Sequence, residues 1–170
     1  MHFFTFDVFS ITMKKGLRTK LLIAIGICLL VGLIGSMATQ TSVSGWFETL
    51  EKPSWNPPSW LFAPVWTLLY ILMGVAAALV WNKGFHQKGV QKALYIFGFQ
   101  LLLNAFWSII FFALRAPLWA LVEIVILFIT IILTIKAFKP ISKTAAYLLI
   151  PYTLWIAFAT LLTLEIVRLN

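Results

Sequence analysis

Long apolar runs, broken only by short basic clusters, constrain this chain more than any other feature. Five runs, at about 21–39, 60–81, 93–114, 118–138 and 144–167, each approach the ~20 residues that a helix rising ~1.5 Å per residue needs to cross a ~30 Å hydrocarbon core. Hydrocarbon offers no partner to backbone N–H and C=O groups, so runs of this length pair them internally as helices. Hydrophobic residues make up 62% of the 170 positions and mean hydropathy is +0.99. The predicted fold class is therefore all-α, an integral membrane bundle of five transmembrane helices at 21–170 behind a basic arm at 1–20.

Several chemistries are excluded early. Cys28 is the single cysteine and lies inside an apolar run, so neither a disulfide framework nor a thiolate metal cluster can form. His2 and His86 both fall outside the spans. No phosphate loop, nucleophile elbow, serine–histidine pairing, zinc signature or carboxylate dyad is present, and neither a metal nor a cofactor is expected. The net charge of +8 comes from basic residues flanking the spans, which membrane topology and anionic lipid explain without nucleic acid.

In the arm, MHFFTFDVFSITM precedes Lys14, Lys15, Arg18 and Lys20, the reverse of a secretory signal's order. The arm is predicted to be partly disordered or interfacial, and Met13-Lys14-Lys15 reads as a natural start. Alternating spans place those four cations with Lys83, Lys88, Lys92, Lys136, Lys139 and Lys143 on one side, leaving Lys52, Arg115 and Arg168 on the other. The positive-inside rule then puts the N-terminus in the cytoplasm and the C-terminus outside, as expected of a multi-pass protein of a bacterial inner membrane.

Between the first two spans, the stretch from Trp46 to Tyr70 holds Trp46, Trp55, Trp60 and Trp66 together with Pro53, Pro57, Pro58 and Pro64. The first three prolines fix φ and remove donors, predicting a stiff, non-helical, extracytoplasmic loop over about 40–59, while Pro64 suits a helix's first turn. Such a loop reads as a cover over a cavity between helices. Counting inward from the helix ends puts Trp66, Trp107 and Ala159 about 9 to 12 Å deep, with Trp155 one turn further. Trp107 and Trp155 are thus too deep for an interfacial belt and are read as facing inward, either around a ligand or as plain core packing. Tyr70 and Asn104 lie at the same level, Asn104 either tying helices together or meeting a ligand. Glu123, inside the fourth span, is read as either a functional intramembrane carboxylate or, in preference, a structural hydrogen bond to another helix. Gly32 and Ser36, four apart, form a small face open to close helix contact or to lipid. Pro151 is expected to kink the fifth span.

The blocks WFETLEKPSWNPPSWLFAPVWTLLYILMG at 46–74, LNAFWSIIFFAL at 103–114, WALVE at 119–123 and LLIPYTLWIAFATLL at 148–162 resemble, in order and spacing, the translocator protein family (TspO/MBR, tryptophan-rich sensory proteins, peripheral benzodiazepine receptor). The resemblance implies a five-helix bundle, commonly a homodimer in membrane lipid, that binds porphyrins such as protoporphyrin IX. It further implies a pocket of Phe47, Pro57, Phe62, Trp66, Tyr70, Asn104, Trp107, Trp155 and Ala159. Some bacterial members are implied to degrade porphyrin in light, which by position makes Trp66 and Trp155 the candidate catalytic residues. The family's sterol motif is incomplete, with Leu164 where a tyrosine would stand, so no dedicated cholesterol site is expected. A ligand-binding or sensory protein is the leading expectation, a light-dependent porphyrin-degrading enzyme the alternative, and a porphyrin or lipid transporter a third reading.

Overall fold

The computed structural model describes residues 15–43, 45–87 and 89–170, so the arm up to residue 14 and the proposed start at Met13 lie outside the described residues. All regular structure among the described residues is helical. It comprises α1 Lys15–Val43, α2 Trp46–Thr49, α3 Ser59–Trp81, α4 Val90–Ser108 running on into a π-helical turn Ile109–Ala113, α5 Pro117–Phe138, α6 Lys143–Leu148 and α7 Ile150–Leu169. Five stretches are long and apolar enough to cross a membrane, the last made of α6 and α7 together. The protein is a multi-pass membrane protein of five spanning helices.

Three expectations are corrected, and one takes a particular form. Residues 15–20 belong to α1 rather than to a separate arm, because nothing from Lys15 onward breaks a helix. The loop begins with a helical turn, Trp46–Thr49, since proline restricts only itself and the residue before it and the first one stands at Pro53. The expected irregularity at Pro151 takes the form of a break at Leu149, two residues before it, which leaves Pro151 in the first turn of α7, where its missing donor costs little. Glu123 makes no hydrogen bond to another helix: both its carboxylate oxygens are buried without a partner among the described residues. Its carboxyl therefore carries a desolvation cost that no neighbour offsets.

The core runs along the facing stripes of α3, α4, α5 and α7, with Met73, Ile124, Leu127, Tyr152 and Ile156 essentially inaccessible. Lipid removes the aqueous driving force between helices, so close packing and interhelical hydrogen bonds hold them. Gly74 of α3 is one pin, where an added Cβ would fall 2.5 Å from the Ile25 Cα of α1. Gly32 is another, its face against the Tyr70 ring, as the small-residue reading allowed. Ser36 lines a cavity instead. Asn104 is the polar tie: Tyr70 O–H donates to its Oδ1, and its Nδ2 donates to Tyr152 Oη at 3.0 Å, joining α3, α4 and α7.

The loop between α1 and α3 is fastened at several points. Glu51 N–H donates to Asn170 Oδ1 at 3.0 Å, and Asn170 Nδ2 donates back to the Glu51 carbonyl at 3.1 Å. Trp55 meets Phe158 of α7 edge-on at 5.7 Å. Lys52 Nζ donates to the Leu50 carbonyl at 2.9 Å and stands 4.9 Å from the Phe47 ring. At the opposite end, Lys20 donates to Asn82 Oδ1 at 3.2 Å.

Candidate ligand-binding site

Beneath that loop, the loop-side halves of α1, α3, the end of α4 and α7 part around a cavity of about 630 Å³. Each wall is a helical stripe. Phe62, Trp66 and Tyr70 come from α3, each four residues from the next, and Trp155, Ala159, Leu162, Thr163 and Ile166 from α7 at i, i+4, i+7, i+8 and i+11. Trp107 and Ser108 close a third side, followed by Phe111 and Phe112 of the π-helical turn. Phe47 descends from α2 as the loop's contribution.

The aromatic rings support one another. Trp66 stacks on Tyr70 at 5.5 Å, Trp107 on Phe111 at 5.2 Å, and Phe62 meets Trp155 edge-on at 5.9 Å. Phe47 packs edge-on to Phe111 at 6.1 Å and to Phe112 at 5.6 Å, joining the cover to the wall. Offset and edge-on pairs of this kind fix ring orientation.

Polar atoms are few. Ser36 donates to the Leu33 carbonyl at 2.8 Å, Thr39 to Gly35 at 3.0 Å, Thr67 to Ala63 at 2.8 Å and Thr163 to Ala159 at 2.8 Å. Each hydroxyl thus spends its proton on its own helix and offers only lone pairs inward. Trp107 differs from these four, its Nε1–H being buried with no acceptor among the described residues.

Seven of the nine expected site residues, Phe47, Phe62, Trp66, Tyr70, Trp107, Trp155 and Ala159, line this one cavity. Asn104 and Pro57 are not among its lining residues. Asn104 lies buried in the three-helix tie, both ends of its amide engaged. Pro57 is half-buried in the loop, where its carbonyl accepts from Asn56 Nδ2 at 3.1 Å. Sequence reasoning missed Phe111, one turn beyond Trp107, and Leu162, Thr163 and Ile166, which continue the Trp155–Ala159 stripe. Helical periodicity was the signal for both groups.

Fold and cavity together define a polytopic all-helical membrane protein with an aromatic chamber under a fastened loop. Comparison with known sequences places it further: a model of the TspO/MBR family matches residues 24–169, and the chain belongs to that family. It is 48% identical over 158 residues to the tryptophan-rich protein TspO of Chlorobaculum tepidum, covering 93% of this chain and 99% of that one. It is 40% identical to the human translocator protein over 139 residues, 81% of this chain and 82% of the relative. With the tryptophan-rich sensory protein of Cereibacter sphaeroides it shares 36% identity over 125 residues, 74% of this chain and 77% of the other.

Proposed function

We propose that this protein binds a flat, hydrophobic tetrapyrrole of the protoporphyrin IX type in the cavity beneath the loop between α1 and α3, and serves as a ligand-binding or sensory membrane protein. The observation that carries the reading is the convergence of Trp66, Trp107 and Trp155 on one apolar chamber of about 630 Å³. Three indole faces suit a planar π-system, and the size falls within the range of small-molecule sites. In this reading the loop lies on the extracytoplasmic side and the N-terminus in the cytoplasm.

The test is tryptophan fluorescence of the purified protein titrated with protoporphyrin IX in the dark. Saturable quenching is expected, with affinity weakened about twofold to tenfold in Trp155→Phe, the worth of one aromatic contact at about 0.5–1.5 kcal/mol. Quenching without saturation overturns the assignment. A second reading, light-driven degradation of the bound ring, is favoured by Trp66 and Trp155 facing the same chamber. It requires loss of the porphyrin absorbance bands on illumination, slowed in Trp66→Phe or Trp155→Phe; bands equally stable in light and dark dismiss it.

A further inference from the structure

Consecutive residues of an α-helix stand about 100° apart. Gly32 and Leu33 of α1 both line the cavity, as do Phe62 and Ala63, and Trp66 and Thr67, of α3, and in each pair the second residue is exposed. The cavity therefore wraps from the inner flank of each helix to its outer flank. Gly32 lies against the Tyr70 ring, on the inside, whereas Leu33 is 57% exposed and Ala63 and Thr67 are also exposed. Both helices are spanning segments, so these outer flanks face the bilayer. Thr67 is eight residues from the start of α3 at Ser59, about 12 Å below the loop-side end. Further down, the same seam is pinned shut where Gly74 abuts the backbone of Ile25.

We propose that the loop-side half of the α1–α3 seam is a lateral doorway, through which an amphiphile dissolved in the adjoining leaflet enters the cavity. This rests on the ligand-cavity reading above. Two further observations fit entry from the side. The top is held down by the paired Glu51–Asn170 hydrogen bonds and the Trp55–Phe158 contact. And the hydroxyls along the doorway, on Ser36, Thr39 and Thr67, are already bonded to their own helix carbonyls. They meet an apolar body without leaving a donor unpaired, yet can each accept one hydrogen bond from a polar substituent on the same molecule. The substrate class is thus a membrane-partitioned, mostly apolar molecule with a donor at its edge, rather than a solute taken from water.

The test uses the full chain in liposomes containing phosphatidylcholine with a diazirine midway along one acyl chain, irradiated and mapped by mass spectrometry. Adducts are expected on Leu162 and Thr163, which are 6% and 2% exposed and line the cavity. Thr67→Trp and, from the other side of the seam, Leu33→Trp should each reduce those adducts at least fivefold while leaving adducts on outward-facing Leu30 and Leu161 unchanged. Wild-type adducts confined to the outward-facing residues, or inner adducts unchanged in both variants, overturn the doorway. Inner adducts that respond to the variants, in a protein that fails the dark porphyrin titration, support the doorway and overturn the tetrapyrrole reading alone.

Discussion

At the scale of single residues, glycine divides into positions that are used and positions that are free. A methyl group at Gly74 would strike the Ile25 backbone, which cannot swing aside, whereas one at Gly98 meets nothing within 4 Å. Gly74→Ala is therefore expected to destabilise by about 1–3 kcal/mol through overpacking. Gly98→Ala, in contrast, should be neutral or favourable by up to about 1 kcal/mol, the helix-propensity difference. Equilibrium unfolding of both in mixed micelles checks the pair, and equal losses would remove the packing argument. Neither outcome was legible from sequence, because both glycines are lone small residues in apolar helices and only tertiary contact separates them. Trp66, Trp107 and Trp155 were legible because counting along a helix converts position into depth. Asn104 was legible only as a choice of two roles; which one it plays depends on Tyr70 and Tyr152, dozens of residues away.

Among the elements, the helices were readable to within a few residues and the irregularities were not. Hydropathy reports where backbone enters hydrocarbon, so α3 and α5 fall close to expectation. It says nothing of how a helix ends. The π-helical turn at Ile109–Ala113 carries no glycine, proline or polar marker, yet it brings Phe111 and Phe112 to the cavity together. Pro53, Pro57 and Pro58 predict a stiff loop; its fastening to α7 could not be read from sequence, since Glu51 and Asn170 are 119 residues apart. That clasp is removable. Asn170→Ala deletes both bonds to Glu51, and at about 1 kcal/mol net the local opening equilibrium should rise about fivefold. Hydrogen exchange read out over residues 46–58 should speed up accordingly while α5 stays unchanged. Unaltered loop exchange would mean the aromatic contacts alone hold the cover.

For the whole molecule, the proposed orientation rests on the lopsided distribution of lysine and arginine. In cells carrying a Cys28→Ser background, Trp55→Cys is expected to react with a membrane-impermeant maleimide in intact cells, and Lys83→Cys only after permeabilisation; the opposite pattern inverts the topology. The bundle is also organised unevenly along the membrane normal, tied by Gly74 and by the Asn104 triad on one side of the cavity floor and opened into a chamber on the other. Trp107 lines that chamber, and its indole N–H, buried beside it, has no acceptor among the described residues. A buried donor without a partner costs about 1–3 kcal/mol, and hydrocarbon offers no remedy. A molecule bound as proposed, with an oxygen that reaches that N–H once the indole shifts, would offset this cost, and ligand at a hundred times its dissociation constant adds about 2.7 kcal/mol to stability. Melting temperature then becomes an unbiased search instrument: hydrophobic compounds with an acceptor should raise it, their deoxygenated analogues should raise it less, and Trp107→Phe should erase the difference between them.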